Sequence, residues 1–112
     1  MMTTIVLMDQ FGKNVYTLVV YSRESQSTKT VRYKFLDWDA EGITIVPTSR
    51  ASWEYLLVGL RRDTFVALFT KRKKEVLTSG VVETIKTAGN AVEIKFAKEP
   101  DRDFGEYILE GR

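Results

Sequence analysis

Three carboxylates, Asp37, Asp39 and Glu41, fall within five residues, and Trp38 stands among them. Acids that dense could serve a metal ion or a catalytic step. A calcium loop, however, needs further oxygen ligands at set positions. The same residues also suit a solvated turn, in which Asp bonds nearby backbone and Gly42 supplies a positive φ. Trp38 reads either as an exposed anchor for a partner, since Trp is enriched at binding hot spots, or as a lid folded over one end of the domain. The densest positive run is Lys71, Arg72, Lys73 and Lys74, with Arg61 and Arg62 before the same strand. It could meet the phosphates of a nucleic acid or an acidic protein face. It also suits a solvated hairpin tip whose lysines block edge-to-edge pairing.

The chain has no cysteine and no histidine. That excludes disulfides, thiol chemistry, zinc sites of the usual kind and an imidazole base. An enzyme would have to work with carboxylates, Lys, Tyr, Ser or Thr, and no set of these forms a recognisable catalytic motif. The formal charge of +2 is too small to demand a nucleic-acid partner. With 44% hydrophobic and 29% charged residues the chain has the balance of a folded protein, and 112 residues suit one domain, 1–112. The apolar run Ile5 to Met8 is too short for a signal-peptide core, and no stretch approaches a membrane span. The expectation is a soluble, cytoplasmic protein.

The elements that must carry these residues read mostly as strands. Thr4 to Met8 is a first candidate. Gly12 to Asn14 supply turn chemistry, and Val15 to Tyr21 follow as a long strand. Ser22 to Lys29 reads as a polar loop or hairpin tip. Val31, Tyr33 and Phe35 alternate with Arg32 and Lys34, which predicts one buried and one wet face. After the turn at Asp37 to Gly42, Ile43 and Ile45 lead to Pro47, where the lost donor ends pairing. Trp53, Leu56, Leu57 and Leu60 then change the period to that of a helix, with Ser49 or Ser52 as N-cap and Gly59 near its end; a short strand or irregular crossover is the alternative. That stripe reads as core, a barrel plug or a dimer face.

Phe65 to Phe69 is a continuous apolar strand. From Val76 the strand pattern resumes, with Gly80 suggesting a bulge or bend. Ala88-Gly89-Asn90 is a hairpin turn, and Val92, Ile94 and Phe96 alternate after it. Beyond Pro100 the tail reads as a short helix, with Asp101 and Asp103 at its start, Phe104, Tyr107 and Ile108 as its apolar face and Gly111 as its stop. The sum is an all-β, mainly antiparallel barrel of six or seven strands with one or two short helices.

The segment from Lys34 to Ile45, Lys-Phe-Leu-Asp-Trp-Asp-Ala-Glu-Gly-Ile-Thr-Ile, resembles the central strand–turn–strand of the PilZ family. There an Asp/Asn-x-Ser-x-x-Gly motif precedes an alternating strand. Phe65 to Phe69, Gly80-Val81-Val82 and Val92 to Phe96 resemble the family's later strands, so the likeness spans residues 31 to 108. PilZ domains that bind cyclic di-GMP carry an Arg-x-x-x-Arg motif ahead of the barrel. Here the arginines upstream of Asp37 are Arg23 and Arg32, nine positions apart. The family's Ser is replaced by Asp39, whose charge would repel an anionic ligand. The resemblance therefore implies a relative without the nucleotide site, and the N-terminal barrel of flagellar-brake proteins fits equally well.

Sm-like RNA-binding barrels are similar over Val31 to Val46, although their base-binding residues have no clear counterpart. The reading adopted is a non-enzymatic, PilZ-like regulatory or protein-interaction barrel without cofactor or metal. Its expected contact surface is Trp38 with Asp37 and Asp39, or the basic tip Lys71, Arg72, Lys73 and Lys74. The expected partner is another protein and not a membrane. A nucleic acid bound through the basic tip is the rival.

Overall fold

Alternation decides most of the fold. Ile5 and Leu7, Val31 and Tyr33, Ile43 and Ile45, and Val92, Ile94 and Phe96 are all buried, while most of their sequence neighbours are not. Successive strand side chains point to opposite faces, so each of these segments has one apolar side to hide. A computed structural model describes residues 2–21, 27–61, 64–70 and 75–98. It shows how the hiding is done. Seven strands close into a barrel in the order β1-β2-β5-β6-β7-β4-β3. They are β1 (Met2–Asp9), β2 (Val15–Tyr21), β3 (Ser27–Asp39), β4 (Gly42–Pro47), β5 (Phe65–Thr70), β6 (Val76–Ala88) and β7 (Ala91–Phe96), with helix α1 (Arg50–Gly59) between β4 and β5. Closure removes sheet edges wherever the strands overlap. Six neighbour pairs are antiparallel; β1 and β3 run parallel, from Thr3 beside Ser27 to Asp9 beside Tyr33.

That parallel pair corrects the end of the expected loop at Ser22 to Lys29, of which residues 22–26 lie outside the described residues. Ser27, Thr28 and Lys29 belong to β3, paired with Thr3, Thr4 and Ile5. Their polar side chains read as loop, but pairing with an apolar neighbour strand overrides that composition. The β6–β7 hairpin turns at Gly89 as expected, with φ of 61°. Gly80 is not a bulge, since it sits in regular register opposite Val66. A Cβ there would fall 2.5 Å from Cγ of Phe96, so the residue is small to seat that ring. The register shifts of β6 lie on either side of it, opposite Leu68/Phe69 and at Val82/Thr84.

The helical period of the middle segment holds. Ser49 is the N-cap, and its Oγ accepts from the Ser52 N–H at 3.1 Å. Leu56 and Leu60 are buried in the core, while Trp53, Tyr55 and Leu57 pack partly against it. The helix lies on β3, β4 and β7, and the Trp53 indole N–H donates to the Asn90 carbonyl at 3.4 Å. It stops the barrel at the end where β4 finishes and β7 begins. The opposite end carries the finish of β1 and β3 and the start of β4. The helix expected after Pro100 lies outside the described residues. No helix among the described residues is long and apolar enough to cross a membrane.

Candidate functional site

The open end of the barrel is built on two turns and one overhanging strand. The first turn joins β1 to β2. Asp9 ends β1 almost buried, and its Oδ1 accepts from the N–H groups of Phe11 at 3.0 Å and Lys13 at 2.8 Å. Its Oδ2 accepts from the Asn14 N–H at 3.0 Å. Burial works against the charge of this carboxylate, but the donors of Lys13, Asn14 and Phe11 outweigh it and hold its pKa below the ordinary value. Gly12 completes the turn at a φ of 74°. The Tyr33 hydroxyl donates to the Asn14 carbonyl at 3.3 Å. Burial first, then the neighbouring Tyr16 and Asp9, push the Tyr33 phenol up to about 12.

The second turn joins β3 to β4. Here Asp39 Oδ1 accepts from the N–H groups of Glu41 at 2.7 Å and Gly42 at 3.0 Å, in full contact with solvent. The carboxylate thus organises its own turn, which is the commonest use of Asp in this setting. Gly42 is required for a different reason from the one the sequence suggests. Positive φ occurs at Gly12 and Gly89 and not at Gly42. Instead a Cβ on Gly42 would collide with the backbone carbonyl of Ile94. The glycine lets β4 lie against β7 at this point. Among the described residues no three acidic side chains converge to hold a metal ion.

Between the turns β3 changes phase. Tyr33 faces Pro47 and Phe35 faces Val46, so Lys34 is an extra residue in β3. Such a bulge moves every later side chain to the other face. Val31 and Tyr33 therefore point inward, and so do Leu36 and Trp38, while Phe35, Asp37 and Asp39 point out. This corrects the expectation that Phe35 shares the buried face of Val31 and Tyr33: its side chain is 53% exposed. Trp38 is half-buried against Tyr16, with ring centroids 5.3 Å apart, and Tyr16 lies 6.4 Å from Tyr33.

The overhang leaves one flank of β3 open. β1 accompanies β3 only as far as Tyr33, whose carbonyl accepts from the Gln10 N–H at 3.0 Å. From Lys34 to Asp37 the strand neighbour among the described residues is β4 alone. A groove of about 340 Å³ runs along this flank, between the Asp9 turn and β3, lined by Phe11, Tyr16, Tyr33, Lys34, Phe35 and Leu36 with Asp9, Gln10 and Asn14. Phe11 is 74% exposed on its rim. A smaller hollow of about 180 Å³ on the β4 side is lined by Asp37, Trp38, Asp39 and Glu41 together with Glu93 and Lys95.

Of the residues expected at a contact surface, Asp37, Trp38 and Asp39 are thus brought to this end. Lys71, Arg72, Lys73 and Lys74 lie outside the described residues. The strand ends that flank them meet here, where the Thr70 N–H donates to the Glu75 carbonyl at 3.0 Å. Phe11 and Phe35, which also line this end, are not among the residues that the sequence singles out for contact. The signal for Phe35 was present: the apolar positions Val31 and Tyr33 are out of step with Leu36 and Trp38. In comparisons with known protein families, curated proteins and solved structures, the chain has no match.

Proposed function

We propose that this barrel is a non-enzymatic interaction module, which binds an extended segment of another protein along the open flank of β3. The observation that carries this reading is Phe35, held outward at 53% exposure beside backbone that, among the described residues, has a strand neighbour on one side only. A strand with an unpaired flank offers N–H and C=O groups to an incoming peptide, and side-chain pockets beside it supply selectivity. An apolar side chain of the peptide would rest between Phe11 and Phe35. Basic side chains would suit Asp37 and Asp39, which share the outer face with Phe35.

The resemblance to PilZ barrels without the arginine pair agrees with a regulatory role of this kind in the cytoplasm. The carboxylate of Asp39, already engaged with its turn, favours a module that binds no cyclic di-GMP. Peptides selected from a displayed library on the intact chain test the reading by amide chemical-shift mapping. The expected shifts centre on Lys34 to Asp37 and Phe11, with slowed amide exchange at Lys34 to Asp37, and Phe35→Ser abolishes binding. Peptides that shift other surfaces, or that bind the Phe35→Ser protein equally well, would refute it. Labelled cyclic di-GMP and single-stranded RNA are expected to leave fluorescence anisotropy unchanged. Salt-sensitive RNA binding would transfer the function to the rival nucleic-acid reading.

A further inference from the structure

The direction of the backbone groups along the open flank of β3 follows from a bond two strands away. The Phe96 N–H donates to the Glu41 carbonyl at 2.9 Å, so Glu41, Ile43 and Ile45 turn their peptide groups toward β7. The alternate residues Gly42, Thr44 and Val46 turn theirs toward β3, where they meet Asp39, Asp37 and Phe35. Leu36 lies between Phe35 and Asp37, so its N–H and C=O point away from β4, onto the flank. The lane beside it has a closed end. There the Gln10 N–H occupies the Tyr33 carbonyl at 3.0 Å, and the chain swings away at the Asp9 turn. Among the described residues no such bond stops the lane toward Asp39.

The side chains along the lane carry a charge order. Lys34 stands at the closed end with Phe35 next to it, and Asp37 and Asp39 follow on the same outer face. Among the described residues Lys34 makes no ion pair. The acid that lines the groove beside it is Asp9, whose two oxygens are taken by the N–H groups of Phe11, Lys13 and Asn14. The closed end therefore offers a cation and an apolar wall of Phe11 and Phe35, and the far end offers two carboxylates.

We infer that the segment bound along β3 is the free C-terminus of its partner, antiparallel to β3, with an apolar last side chain and a Lys or Arg two residues earlier. This rests on the reading of β3 as a peptide site and specifies its ligand. The terminal carboxylate lies against Lys34, where the closed end leaves no lane for further residues. The terminal side chain rests opposite Phe35, and the residue before it exchanges hydrogen bonds with the N–H and C=O of Leu36. The basic side chain then stands directly across from Asp37. A parallel peptide would instead set an N-terminal ammonium beside Lys34, like charge against like.

Three peptides test this on the intact, isotope-labelled chain: Ser-Gly-Ser-Lys-Val-Arg-Val-Leu with a free carboxylate, the same sequence as its C-terminal amide, and the same sequence extended by Gly-Ser-Ser. The free acid is expected to shift the amide signals of Lys34 to Asp37 and of Phe11. The amide and the extended peptide should each bind about fivefold more weakly, the worth of one partly exposed ion pair. Lys34→Gln should lower the acid to the affinity of the amide and leave the amide unchanged. A nitroxide on the N-terminus of the acid should broaden the signals of Glu41 and Gly42 more than those of Gln10 and Phe11. Equal affinity of all three peptides at the flank, or the reverse order of broadening, would overturn the inference and leave the peptide site standing. If none of the three shifts the flank while peptides blocked at both ends do, the C-terminal ligand alone falls; if neither set shifts it, the site falls too.

Discussion

The two turns at the open end use the same chemistry for different ends. Each is organised by an Asp that accepts backbone N–H groups, and each has a glycine three residues on. Asp9 is almost buried, takes three donors and is tied through Asn14 to Tyr33. Asp39 is exposed and takes two. The glycines differ in the opposite sense. Gly12 has open space around it and is chosen for its φ of 74°, while Gly42 has an ordinary φ and no space at all. The motif Asp-x-x-Gly therefore carries no fixed structural meaning. The Asp9 turn is a structural wall of the groove, whereas the Asp39 turn depends on its glycine and leaves its acid available to solvent.

Substitutions should separate these roles. Gly42→Ala is expected to cost the most, about 3 kcal/mol in urea unfolding, because backbone on backbone cannot give way as a flexible side chain does. A cost below that of Gly12→Ala would contradict the close-approach role. Gly12→Ala should cost about 1–2 kcal/mol, the penalty of a left-handed backbone for a residue with a Cβ. Asp9→Asn should fall below these at neutral pH and show itself in acid. The charged Asp9 contributes stability that is present above the unfolded carboxyl pKa, about 3.9, and is lost as pH falls through the lower folded value. The gap between wild type and Asp9→Asn should therefore close below pH of about 4; a constant gap would show that the charge is not what the three donors hold.

In alkali the same turn should fail through Tyr33. The unfolded phenol ionises near its ordinary value of about 10 and the folded one at about 12, so stability should decline across that window. Tyr33→Phe should flatten the decline. The smallest effect belongs to Asp39→Ala, under about 1 kcal/mol in urea unfolding, since an exposed hydrogen bond is readily replaced by water. A loss as large as that of Gly12→Ala would erase the contrast between the turns.

Much of the barrel was legible because alternation and turn residues are local signals. Val92, Ile94 and Phe96 after Gly89-Asn90 need nothing else to be read as the arm of a hairpin. Ser49 and the Trp53–Leu60 stripe likewise announce a capped helix. The parts that were not legible depend on neighbours distant in sequence. Ser27 to Lys29 become strand only because β1 lies beside them, and Gly42 and Gly80 are small because of Ile94 and Phe96. The candidate site was half visible. Asp37 and Asp39 stand out as charges, but alternation alone puts Phe35 in the core, because it does not register that a single extra residue, Lys34, reverses the face that follows.

The seam between β4 and β7 also sets a timetable. It joins Gly42 to Lys95 and Ile45 to Val92 across the whole of α1, β5 and β6, whereas the β1–β2 and β6–β7 hairpins join near neighbours in the chain. Long-range pairings pay their loop entropy before any contact returns it, and proteins rich in them fold in milliseconds to seconds. The hairpins can form alone, but the ring cannot close until β4 meets β7. Gly42 lies in that seam and so belongs to the closing step itself. Gly42→Ala would slow folding as well as speed unfolding, so the residue that lets β4 lie against β7 would govern both how fast the barrel shuts and how long it stays shut.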